Sequence, residues 1–122
     1  IQQRRRQLWD RYAAELAEWA SAGGVRLPVV PDHCEHPSHL FYLLMPDLDA
    51  RQRLIAHLAE HGVNAVFHYQ PLHLSEMGLA RGGTRGACPV TETICDVLVR
   101  LPLFHSLTEE DQSHVIAAIR AF

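Results

Sequence analysis

Lysine is absent from this 122-residue chain: all eleven cationic side chains are arginine. Arginine stays protonated and cannot act as an amine nucleophile near neutral pH. The chain's own side chains therefore cannot form a Schiff base with a carbonyl compound. Long apolar runs are also missing, none approaching the ~20 residues a membrane span needs. The formal net charge is only −3, so no charge imbalance points to nucleic acid or an anionic membrane surface. Cysteine is limited to Cys34, Cys88 and Cys95, an odd number without a tight pairing pattern. That usage predicts free thiols in a reducing cytoplasm. The start, Ile1-Gln2-Gln3-Arg4-Arg5-Arg6, lacks both an initiator Met and the apolar stretch of a secretory leader. A piece of a longer chain is the expectation.

What is present suits one domain spanning 1–122, with 48% hydrophobic residues to build a single core. Leu8, Tyr12, Leu16 and Trp19 recur at helical spacing, and Gly23-Gly24 follows, so residues 1–22 read as an amphipathic helix. The arginines at 4–6 read as its solvated start. Val25–Val30 contains Pro28 and reads as an edge or irregular extended segment. Leu40–Met45 is continuously apolar and reads as a central strand covered on both faces, stopped by Pro46.

Asp49 and Gln52 suggest a capping box for a helix over 50–61, with Leu54, Ile55, Leu58 and Ala59 inward and Gly62 as its stop. The stretch 63–69 then reads as a second central strand, broken by Pro71. Strand, helix and strand would form a short βαβ unit. Residues 74–87, with four glycines and two arginines, read as a mobile surface loop, with phosphate binding as the weaker alternative. Pro89 opens a helix reaching about Val99. Arg100–Phe104 reads as an edge strand, and Thr108 caps a last helix with Val115, Ile116, Ile119 and Phe122 inward. Together these predict an α/β or α+β fold, helices packed on a small sheet.

Candidate chemistry concentrates where the 63–69 stretch ends. His68, Tyr69 and His73 bring three polar-tipped rings to one exit, a placement that rigid supports commonly give to functional groups. The ordinary alternative is an amphipathic strand end with its rings half in the core. His33, Cys34, His36 and His39 have metal-ligand chemistry but lack a distant partner pair, so no metal site is assigned. His57 and His61, four apart on a helix, have no further ligand. No Gly-x-Ser-x-Gly elbow and no cysteine-hydrolase flanks occur. These residues alone therefore give no complete catalytic machinery.

Four stretches, in order, carry a resemblance. They are Cys34-Glu35-His36-Pro37-Ser38-His39-Leu40-Phe41-Tyr42; Gly62-Val63-Asn64-Ala65-Val66-Phe67-His68-Tyr69-Gln70-Pro71-Leu72-His73; Cys88-Pro89-Val90-Thr91-Glu92; and Arg100-Leu101-Pro102-Leu103-Phe104 with Leu107-Thr108. Together they resemble the C-terminal domain of the pyridoxal-phosphate sugar aminotransferases, the DegT/DnrJ/EryC1/StrS family of fold type I.

The resemblance implies a small C-terminal domain on a mixed or antiparallel sheet. It implies a preceding N-terminal domain holding pyridoxal phosphate, the Asp that pairs the pyridine nitrogen and the lysine that links the cofactor. It further implies a cytoplasmic homodimer that moves an amino group from glutamate to the keto carbon of a dTDP-4-keto-6-deoxyhexose, for surface polysaccharides such as lipopolysaccharide and enterobacterial common antigen. His68, Tyr69 and His73 match the element lining the sugar-nucleotide side, which implies substrate contact. No catalytic residue and no bound cofactor are expected in this chain, which would be inactive alone. The competing reading is an independent, non-catalytic βαβ module that binds a small ligand or a protein partner.

Overall fold

The computed structural model describes residues 1–122. Helix α1, Gln2–Ala22, turns Leu8, Tyr12, Leu16 and Ala20 into the core, the stripe that its 3.6-residue period dictates. Its two tryptophans lie half-buried against the same core. The phenol of Tyr12 donates to the Pro102 carbonyl at 2.9 Å, and burial pushes its pKa far up, opposed only in part by the charge of Arg11.

Strand β1, Phe41–Leu44, is followed by helix α2, Leu48–Glu60. The cap of α2 is Asp47, not Asp49: its carboxylate accepts the Ala50 N–H at 2.7 Å. The cap follows Pro46 directly, two residues upstream of the expected position. Asp49 instead sits in the first turn and pairs with Arg53 at 2.8 Å. Gly62, at φ +72°, takes the left-handed conformation that ends the helix.

Helix α3, Glu76–Ala80, is short and preceded by one 3-10 turn, Leu72–Leu74. Helix α4, Pro89–Val97, runs without a loop into strand β2, Leu98–Leu101. Helix α5, Glu109–Arg120, closes the fold, with Thr108 Oγ1 accepting the Asp111 N–H at 3.0 Å.

The sheet corrects the expected strand order. β1 pairs antiparallel with β2, Phe41 opposite Leu101 and Leu43 opposite Val99. Residues 63–69 form no strand; they touch the sheet through one antiparallel bridge, Val66 to Arg100, on the far side of β2. On the outer side of β1 lies a matching bridge, Arg26 to Leu44. The expected βαβ unit is therefore split, with β2 inserted between its two arms. β2 begins two residues earlier than read and is flanked on both sides. Pro102 lies just beyond its end, where a missing N–H costs no ladder bond.

Only one face of the sheet is fully covered. Phe41, Leu43, Val99 and Leu101 are buried, whereas Tyr42, Leu44, Leu98 and Arg100 on the opposite face are half-exposed. The continuously apolar β1 run thus follows two-residue alternation rather than burial on both faces. Leu54 and Leu58 of α2 and Ile116 and Ile119 of α5 complete the core with α1. No helix is long and apolar enough to cross a membrane.

Candidate functional site

The segment after the Val66 bridge leaves the sheet and becomes the wall of a cavity of about 440 Å³. Phe67, Tyr69 and Pro71 line it together with Arg51 of α2, Cys95 and Asp96 of α4, and Leu79 and Arg85. Arg51, Leu54 and Leu58 fall on one face of α2, so a guanidinium is carried into the interior beside two leucines. Its Nη1 donates to the Cys95 carbonyl at 3.2 Å, tying α2 to α4. Its Cζ lies over the Phe67 ring, 5.3 Å from the centroid, a favourable cation–π distance. That contact holds Phe67 against α2 although half of its surface is exposed.

The three sequence-predicted rings take different positions. Tyr69 lines the cavity and is 66% exposed. His68 packs edge-on against it, ring centroids 4.5 Å apart. His73 turns inward, its Nε2 donating to Glu92 Oε1 at 2.8 Å, with 17% of its side chain exposed.

Glu92, for which sequence reasoning gave no role, is the only buried acidic residue in the chain. Placed in the first turn of α4 behind Pro89, it reads locally as a solvated acid that suits the helix dipole. Instead it faces the loop that precedes its own helix. The Gly86 N–H donates to both carboxylate oxygens at 2.8 and 3.0 Å, and the Cys88 N–H to Oε1 at 3.3 Å. The Arg85 guanidinium stands 3.7 Å from Oε2. The His73 hydrogen bond, helped by the Gly86 and Cys88 amides and the His73 charge, holds the Glu92 carboxyl below the usual carboxylate range against the opposing effect of burial.

The glycine-rich loop is correspondingly folded rather than loose. Ser75 Oγ accepts the Gly78 N–H at 3.1 Å and caps α3. Gly78 and Gly83 pack on the backbone of His73 so closely that a Cβ on either would strike its carbonyl. One residue, His73, is thus gripped through its carbonyl by two glycines and through its ring by Glu92. A glycine pair at this spacing was the only sequence signal for such a knot, and the same signal fits a mobile loop.

The other candidate clusters converge on nothing. His33, Cys34 and His39 are exposed, while His36 packs on Trp9 with ring centroids 4.6 Å apart. No group of three or more His, Cys, Asp or Glu side chains is placed to share a metal ion. His57 and His61 stack at 4.3 Å, each with a ring nitrogen on a backbone carbonyl.

Comparison with known proteins gives the family. Residues 1–120 match the DegT/DnrJ/EryC1/StrS aminotransferase family. The erythromycin biosynthesis sensory transduction protein EryC1 of Saccharopolyspora erythraea is 34% identical over 119 residues, which cover 97% of this chain and 31% of that protein. The dTDP-3-amino-3,4,6-trideoxy-alpha-D-glucose transaminase of Micromonospora megalomicea is 31% identical, covering 95% and 31% respectively. Among solved structures, NtdA of Bacillus subtilis with bound cofactor PMP superposes with a TM-score of 0.82 at 29% identity, over 95% of this chain and 27% of that one. The chain thus spans 31% of the length of these two curated relatives. It belongs to the DegT/DnrJ/EryC1/StrS aminotransferase family.

Proposed function

We propose that this chain is the C-terminal part of a pyridoxal-phosphate-dependent sugar-nucleotide aminotransferase. The intact enzyme transfers an amino group from glutamate to the keto carbon of a dTDP-4-keto-6-deoxyhexose. It does so in the cytoplasm, as a homodimer, on a route to surface polysaccharide sugars. The observation that carries this reading is the family match over residues 1–120. The dTDP-sugar named for one relative favours a thymidine-linked substrate.

Pyridoxal phosphate supplies the electron sink for amino transfer. The residues of this chain do not fit a covalent site for it, because there is no lysine to carry it. The chain's contribution is a wall. Tyr69 presents a phenol that hydrogen-bonds hydroxyl or phosphate oxygens of the nucleotide sugar, with His68 packed behind it. His73 belongs to the same substrate-contacting element and fixes its geometry from within. None of the three is assigned a proton transfer.

The test is an isotope experiment. The reading frame upstream of Ile1 is followed, and the complete gene product is expressed and supplied with amino-labelled ¹⁵N-glutamate, pyridoxal phosphate and dTDP-4-keto-6-deoxyglucose. The expected product is a dTDP-amino sugar carrying the label, read by mass spectrometry. A complete product that leaves the ketosugar unlabelled across dTDP and UDP substrates refutes the assignment.

A further inference from the structure

We propose that Glu92 is the positioning residue of this wall: by clamping the segment from His73 to Cys88 onto α4, it sets where Tyr69 stands in the cavity. The proposal rests on the reading of that cavity as the sugar-nucleotide side of the site, and deepens it.

The geometry is that of one carboxylate serving four groups on one segment. The Gly86 and Cys88 amides fix the end of the segment next to α4. The His73 imidazole fixes its beginning, thirteen residues before Gly86 in the sequence. Arg85 adds a charge between them at 3.7 Å. A loop closed at both ends onto one side chain loses most of its freedom, and buried acceptors with several charge-assisted donors are the stronger kind.

The link from the clamp to Tyr69 is short and stiff. Only three residues separate Tyr69 from His73, and one is Pro71, whose ring fixes φ. Gln70 Nε2 donates across the bend to the Leu74 carbonyl at 3.0 Å. Glu92 and Tyr69 face the same cavity from α4 and from the bend. The charged or titratable groups around that cavity are Arg51, Arg85, Asp96 and Cys95 beside them. None of these lies within salt-bridge distance of Glu92 except Arg85. The charge balance at the clamp is therefore set by Glu92, His73 and Arg85.

The test uses Glu92→Gln, which keeps the shape and one carbonyl acceptor but loses the charge. Two readouts are taken. In the complete enzyme, hydrogen exchange at the Gly86 and Cys88 amides should quicken about tenfold while the α5 and β2 amides keep their protection. In the same enzyme, the KM for the nucleotide sugar should rise about tenfold while kcat falls less than threefold. A Tyr69→Ala background provides the discriminating measurement. Because Glu92 acts through Tyr69, adding Glu92→Gln to Tyr69→Ala should raise KM no further.

Unchanged exchange at Gly86, or multiplicative effects in the double variant, overturns the proposal. If the complete enzyme turns over no nucleotide sugar, the proposed function fails. The positioning claim is then decided by Tyr69 itself: its amide and ring signals should broaden or shift in Glu92→Gln, and identical spectra overturn it.

Discussion

The imidazole of His73 and the carboxylate of Glu92 lie 2.8 Å apart, nineteen residues distant in sequence and both largely buried. The direction of the Glu92 shift fixes the sign of its pH dependence. Its folded pKa is lowered from 4.5. Its contribution to stability is therefore full above the unfolded value and is lost as pH falls through the depressed folded value. The Gly86 amide should exchange slowly at pH 6 and lose protection on acidification below about 4.5, before α5 unfolds. In Glu92→Gln the same amide should show a flat profile over that range. Exchange that follows global unfolding at every pH would show that the clamp is not a local unit.

Gly83→Ala should damage the same knot without touching a charge. The new Cβ meets the His73 carbonyl and the Gly78 carbonyl, which are backbone and cannot swing away. A loss of about 1–3 kcal/mol is expected, the range for forced overpacking, read by chemical denaturation. Gly82→Ala is not its equal: that residue meets nothing within 4 Å but sits at φ +91°, so its cost is backbone strain alone.

The 63–69 stretch and the strand β2 inserted beside it predict opposite outcomes for the same substitution. Val66 is 43% exposed and Val99 is fully buried. Val66→Asp should change stability by about 0.5 kcal/mol or less, as for surface sites generally. Val99→Asp buries an unpaired charge and should cost several kcal/mol, on the order of 3–5. Paired denaturation curves decide. A large loss at Val66 would restore the strand expected from sequence.

That contrast also shows what the sequence makes legible. Helices α1, α2 and α5 follow from local rules: periodic apolar residues in all three, a capping side chain on α2 and α5, and a glycine stop after α1 and α2. β1 is visible because six apolar residues end at a proline. The 63–69 stretch has the composition of a strand, yet the Ala65 N–H turns back to the Val63 carbonyl at 3.1 Å, and only Val66 completes the exchange with Arg100. Whether such a stretch pairs, and with which neighbour, depends on where β2 inserts, and no local pattern encodes that. The ring cluster at 68–73 stands out in the sequence. Its division into one ring facing the cavity and one facing Glu92 does not, because Glu92 has the sequence context of a solvated acid. Arg51 was legible in principle, since it shares the face of Leu54 and Leu58.

The same departure from the sheet leaves apolar surface uncovered. Val66, Phe67, Tyr69, Leu72, Met77 and Leu79 are all between 43% and 83% exposed. On α1, by contrast, Tyr12 and Leu16 are fully buried and Trp9 and Trp19 pack on the core. The chain expressed alone should therefore self-associate through residues 66–79. Sedimentation velocity should show the mass falling toward a monomer when Leu72 and Met77 are changed to Ser. Association that persists unchanged would place the sticky surface elsewhere.

The role proposed for the wall is tested most directly by single-turnover spectra of the complete enzyme in its two half-reactions, with Tyr69→Ala against the parent. Loss of a substrate contact at this side should raise the nucleotide-sugar concentration needed for half-maximal rate by about tenfold, the effect of one or two lost hydrogen bonds. The glutamate half-reaction should run within twofold of the parent, because it makes no use of the sugar contact. A selective loss of the glutamate step would contradict the assignment and give Tyr69 a part in the chemistry itself.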